Sequence, residues 1–206
     1  MNNTKFALKD VEKKKIYLMG WVTLLVFPIP AFIALYFTHD FTLREFFDLD
    51  RFKFHHLITG GIIGIVYAYL ANFAMETKLF KSVPLRVDQL VKSMNLTIGE
   101  SIFLSICAGV GEELLFRVGV QTYIGPILGG ILFVALHGYL NPFNWRQSLY
   151  GIIVLPLAFI LGYAFEYVGL WFAIAIHFAY DLTLFLSFDK EETEEENVEN
   201  HKEIGS

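Results

Sequence analysis

Charge is scarce in this 206-residue chain: Asp, Glu, Lys and Arg make up 18% of it, against about 25% in ordinary soluble domains. A basic face for nucleic acid is absent, since 16 Lys and Arg stand against 21 Asp and Glu. The net charge of -5 says little about partners, because it is concentrated at one end. Residues 189–206 hold eight acids and two lysines, so that segment carries -6 and the rest of the chain +1. Cysteine occurs once, as Cys107 in an apolar stretch, which excludes an internal disulfide and reads as a small packing residue. The zinc-protease pattern H-E-x-x-H is missing. No Ser or Cys stands with a His and an acid at matching spacing, which disfavours covalent catalysis. No internal repeat is visible.

What the chain has is apolar length. Hydrophobic residues reach 55%, with 21 Phe, 10 Tyr and 3 Trp, and mean hydropathy is +0.50. Six runs have the length that spans a bilayer, about 20 residues with few charges: 16–38, 57–80, 98–123, 125–140, 148–165 and 168–188. The expected fold is all-α: a polytopic membrane bundle of about six helices, with short interfacial amphipathic helices between them. The first run is too long for a signal peptide and contains Pro28 and Pro30. Gly60, Gly61 and Gly64 have the spacing of a close helix–helix contact. The gaps after the third and fifth runs are short enough to force tight hairpins, turning near Ile124 and Tyr167.

Two connections read as helices lying on the membrane. Thr42 and Glu45 have capping-box spacing ahead of Phe46 and Phe47. After Pro84, Val87, Leu90, Val91, Met94 and Ile98 repeat at helical spacing opposite Arg86, Asp88, Gln89, Lys92 and Asn95. With the N-terminus inside, twelve Lys and Arg fall in inner segments and only Arg44, Arg51 and Lys53 outside. The positive-inside rule then makes both termini cytoplasmic. Residues 1–15 become an inner segment, 16–188 the bundle, and 189–206 an acidic tail, disordered or a loose extension of the last helix.

Against that background, some polar residues are out of place. A charge at mid-bilayer costs about 2.5–3.5 kcal/mol on insertion scales and marks function by default. The third run holds Glu112, Glu113 and Arg117, the fourth His137, the sixth His177 and Asp181. Glu113 and Arg117 lie one turn apart and can pair, while Glu112 points about 100° away and is free to face something else. Counting from the hairpin turns at 1.5 Å per residue, Glu112 and His137 lie roughly 18–20 Å deep and His177 about 15 Å. Each residue alone could be helix glue. Six of them at matched depth point to chemistry.

A carboxylate facing an imidazole can hold a water and take its proton, and a second His can donate to the oxyanion that forms when the water attacks a carbonyl. Asp181, one turn from His177, can orient that ring. The same residues could instead supply a two-His, one-carboxylate zinc set of Glu112, His137 and His177. Two acids and an Arg so close reduce the need for a cation, so no cofactor is favoured. Buried Glu and His also build proton relays in transporters, although a visible inverted repeat is missing.

The three clusters resemble a known pattern. Glu112-Glu113-x-x-x-Arg117, Phe133-x-x-x-His137 and His177-x-x-x-Asp181 match in order the motifs of the CAAX protease and bacteriocin-processing family. That family includes the type II CAAX prenyl endopeptidases and the Abi proteins. The resemblance covers about residues 42–188, including Thr42-Leu43-Arg44-Glu45-Phe46-Phe47 upstream. It implies Glu112 and His137 as the water-activating pair, and His177 with Asp181 at the oxyanion. Glu113, Arg117 and Phe133 take supporting roles. Eukaryotic and archaeal members carry Asn at the position of Asp181, and a carboxylate cannot offer the N–H that Asn does. The resemblance further implies a cell-membrane enzyme that cuts a membrane protein or a lipidated peptide. A non-catalytic scaffold or bacteriocin self-immunity protein is the alternative.

Overall fold

A computed structural model describes residues 2–77, 94–140 and 145–204, with side chains for 13–77, 94–140 and 148–187. The described residues form helices and turns. In chain order these are α1 (Asn2–Leu25), α2 (Pro28–His39), α3 (Leu43–Phe46), a 3-10 turn (Leu49–Arg51), α4 (Phe54–Met75) and α5 (Ile98–Glu113). A π-helical segment (Leu114–Val120) then leads into α6 (Gln121–Leu136), α7 (Trp145–Tyr167) and α8 (Leu170–Ile204). The amphipathic repeat read at Val87–Ile98 falls almost wholly on residues 78–93 and lies outside the described residues.

Among the described residues, five stretches are long and apolar enough to cross a membrane: Lys13–His39, Phe54–Met75, Ile98–Leu136, Ser148–Tyr167 and Leu170–Ser187. The first is bent where α2 begins at Pro28, whose ring starts a helix but cannot continue one. The third is 39 residues long and folds back on itself at Gly125. There φ is 77°, a left-handed value suited to glycine, and Pro126 opens the returning arm. This is the hairpin expected near Ile124. The returning arm, residues 126–136, is only about 16 Å long, half a bilayer. The expected fourth span, 125–140, is therefore shortened. His137 is its C-cap, and Gly138 at φ 78° closes it with amide bonds to Ala135 and, from Tyr139, to Val134.

α8 is the hub of the bundle, packing on α4, α5 and α7. The α4 contact uses a stripe of small buried residues, Gly60, Gly64, Ala68 and Ala71. A Cβ at Gly64 would collide with the Ile176 carbonyl of α8, whereas one at Gly61 would meet nothing. Gly64→Ala should therefore cost about 1–3 kcal/mol in overpacking, and Gly61→Ala should be neutral. Thermal unfolding in mild detergent compares the two; equal melting points would contradict this packing. α1 lies along α5, where Gly111 lets the Thr23 carbonyl approach. Lys13 of α1 donates to Glu100, which also completes a capping box with Thr97 at the start of α5.

The opposite end is tied by a polar knot. The capping box of Thr42 and Glu45 starts α3 as expected. Asp48 accepts from the Leu170 amide (2.7 Å) and from Arg51 (2.8 Å), and Arg51 donates to the carbonyls of Phe165 and Glu166. One ion pair thus caps the end of α7 and the start of α8, fixing the second hairpin. At its other end α8 continues as helix through the acidic segment to Ile204.

Candidate active site

Three helices converge on one point. α5 ends in Glu112 and Glu113, the arm of α6 ends in His137, and α8 carries His177 and Asp181 one turn apart. Glu112 and His137 stand at nearly equal distances along the chain from the Gly125 turn, as do Phe116 and Phe133, whose rings meet edge to face at 5.0 Å. The hairpin thereby fixes the register that pairs them. Glu112 Oε2 is 3.4 Å from His137 Nε2 and 4.0 Å from His177 Nε2.

Each imidazole is held from behind. His137 Nδ1 lies 2.8 Å from the Phe133 carbonyl, which can only accept. That nitrogen therefore carries the proton, and Nε2 presents a lone pair towards Glu112 in the neutral ring. The His137 ring packs between Phe133 (4.4 Å between centroids) and Tyr139 (5.9 Å, nearly parallel). His177 Nδ1 donates to Glu113 Oε1 at 2.9 Å, while its Nε2 lies 3.4 Å from Asp181 Oδ2. The bond that orients His177 thus comes from Glu113. Asp181 sits against the same nitrogen that faces Glu112.

Glu113 also accepts from Arg117 Nε at 3.0 Å, both side chains fully buried, so the expected pair is present. Arg117 stands in the π segment, and its guanidinium lies 5.2 Å from the centre of the Phe133 ring. Its Nη atoms have no hydrogen-bond partner among the described residues. Glu113 therefore ties Arg117 to His177, and Arg117 in turn lies over Phe133, against which His137 packs. Spacing showed the Glu113–Arg117 pair but not the link to His177, because that link depends on how α8 docks on α5. The wider π turns are likewise invisible to a 3.6-residue count; such segments recur at functional sites.

The cluster opens on a cavity of about 280 Å³. Glu112, His137, His177 and Asp181 lie on its wall, with apolar side chains from α1, α5, α7 and α8 around them. His137 is the most open of the four, its side chain 30% exposed, against 15% for Glu112 and 6% for His177. The cavity extends from His137 towards the end of the bundle that bears Ile16, Tyr150 and Phe185. That is the level at which the short α6 arm has already stopped. α1 and α7 both line it, yet α1 packs on α5 and α2 while α7 packs on α6 and α8. Among the described residues no group of three or more His, Cys, Asp or Glu side chains is disposed to hold a metal ion.

The sequence model of the family described as type II CAAX prenyl endopeptidase Rce1-like matches residues 94–183. That stretch holds all seven candidate residues, and its similarity is to the family whose motifs they resemble. The chain is also similar to a protein of Bacillus subtilis (strain 168), the uncharacterized protein YpbD. The two are 29% identical over 184 residues, 87% of this chain and 93% of that one. No solved structure matches.

Proposed function

We propose that this protein is an intramembrane endopeptidase of CAAX-protease type, which hydrolyses a peptide bond with water activated by Glu112 and His137. One observation carries the reading: Glu112 and His137 meet at 3.4 Å on the wall of a cavity, their reactive atoms turned towards each other. Two acceptors at that distance are reconciled by a water or a shared proton on the cavity side. The carboxylate takes the water's proton as its oxygen attacks the substrate carbonyl, and His137 holds the water in line. His177 faces carboxylates with both nitrogens, so when protonated it donates to Glu113 from Nδ1 and offers Nε2–H to the oxyanion. Asp181 balances that charge. Collapse of the tetrahedral intermediate then breaks the C–N bond, and the protonated Glu112 passes its proton to the leaving amine, which restores the base.

The proposed substrate is a membrane protein segment or a lipidated peptide, taken up where α1 and α7 line the cavity without packing together. The proposed location is the cell membrane, with both termini cytoplasmic and the cavity opening on the same side. Cysteine labelling at positions 14 and 195, in a Cys107→Ala background, should modify both from one face only. Labelling from opposite faces would overturn the topology. The activity is tested by comparing membrane peptides, by mass spectrometry, from cells making the wild type and cells making Glu112→Ala. Peptides that appear with the first and vanish with the second are expected; identical profiles would favour the scaffold reading.

A further inference from the structure

The reacting groups and part of the cavity around them come from different stretches of the chain. Glu112, His137, His177 and Asp181 all stand within residues 94–183, the stretch that the family model matches. The same cavity is also lined by α1, which lies outside that stretch. α1 contributes Ile16, Met19, Gly20 and Thr23, the i, i+3, i+4, i+7 spacing of one helix face. Ile16 and Gly20 are buried, and a Cβ at Gly20 would strike Phe103 of α5, so these two seat the helix. Met19 is exposed and Thr23 only part-buried.

Thr23 is the polar member of that face. Its carbonyl is what a Cβ at Gly111 would meet, so Thr23 sits beside the residue that precedes Glu112. Threonines inside helices commonly return their hydroxyl to the carbonyl four residues back. Thr38, Thr59, Thr122 and Thr183 do so here, to Ala34, His55, Val118 and Ala179 at 2.7–2.8 Å. The Thr23 hydroxyl makes no such bond and has no other hydrogen-bond partner among the described residues. Nor is it one of the enclosed polar atoms of the bundle, so it keeps accessible surface on a residue that lines the cavity.

A peptide bond inside a helix is not open to attack, so a substrate segment is unwound where it is cut. Its freed C=O and N–H groups then need partners, because in an apolar cavity each unmatched one is costly. We propose that α1 is the substrate-selecting wall of this site, and that the Thr23 hydroxyl donates to a main-chain carbonyl of the unwound segment beside the scissile bond. This rests on the hydrolytic reading above and adds the substrate contact to it. Met19, one turn away, supplies an adaptable apolar contact on the same face. The substrate is recognised by its exposed main chain rather than by a charged end.

The test uses the full chain in phospholipid vesicles and a pool of quenched peptides, each with an apolar segment of about ten residues between polar flanks. Thr23→Val removes the hydroxyl and keeps the shape, so the wild-type melting point should hold. KM should rise roughly three- to tenfold, as loss of one hydrogen bond gives, with kcat within about twofold. Thr23→Ser should return KM to within about twofold of wild type. Thr59→Val, whose hydroxyl bonds its own helix, should change neither constant. A second series replaces the main-chain oxygens of the substrate one at a time by sulfur, a weaker acceptor. Wild type should lose affinity at one position to which Thr23→Val is indifferent, a coupling that a packing role cannot produce. Unchanged KM in Thr23→Val, no recovery in Thr23→Ser, an equal rise in Thr59→Val, or no such coupling overturns the inference, while Glu112→Gln inactivity keeps the hydrolytic reading. No cleavage of any peptide by wild type removes both.

Discussion

Glu112→Gln should all but abolish turnover and leave the bundle folded. The amide keeps the shape of the carboxylate at 3.4 Å from His137 and about the same volume, so packing changes little. What it loses is basicity, because an amide oxygen cannot take the proton of the attacking water. General-base contributions run to about 10²–10⁴-fold, and the loss should fall in that range, with His137 Nε2 left as an acceptor at that water. The cavity offers Asp181, but that carboxylate is engaged with His177 Nε2 at 3.4 Å. Peptide cleavage in phospholipid vesicles measures the loss, and a Glu112→Gln enzyme as active as wild type would remove Glu112 from the role of base.

The second large effect is on stability. Glu113 carries a buried charge matched on one side by Arg117 and on the other by the N–H of His177. Glu113→Met leaves Arg117 fully buried without its only ion-pair partner among the described residues, and breaking one half of such a pair costs about 3–5 kcal/mol. Arg117→Met should cost less, since Glu113 keeps His177. The double variant Glu113→Met/Arg117→Met replaces the pair by apolar volume and should recover much of the loss, as apolar replacements of buried ion pairs do. Turnover should not recover with it, because His177 has lost the acceptor that fixes Nδ1. Melting points in detergent and peptide cleavage separate the two outcomes. A double variant that is both stable and active would show that Glu113 serves only Arg117.

Much of this site was legible because intramembrane charge is rare. Glu112, His137 and His177 could be placed at one depth by counting residues from two short loops, and Gly125 does turn where that count requires. The Glu113–Arg117 pair follows from one turn of helix. The length of the fourth crossing does not, because an apolar run looks the same whether its backbone stays helical or not. The signal was His137-Gly138, a helix stop in mid-run, since Gly138 adopts the positive φ that closes the arm. Links that depend on docking were out of reach. Glu113 meets His177 across 64 residues of chain, and Thr23 abuts Gly111 only because α1 packs on α5.

The truncated arm of α6 also bears on the surrounding lipid. Ile127, Leu128 and Leu136 on its outer face are exposed, so acyl chains there meet a wall of helix about 16 Å tall instead of about 30 Å. A bilayer meeting so short an apolar surface thins locally, at a cost that grows with each ångström of mismatch. Beside His137 the headgroups and their water would dip towards the reacting pair. The membrane itself would then bring hydrolytic water towards the proposed reacting pair. Membrane thickness becomes a control on rate: short-chain lipids should relieve the deformation, and long-chain or sterol-rich bilayers should resist it.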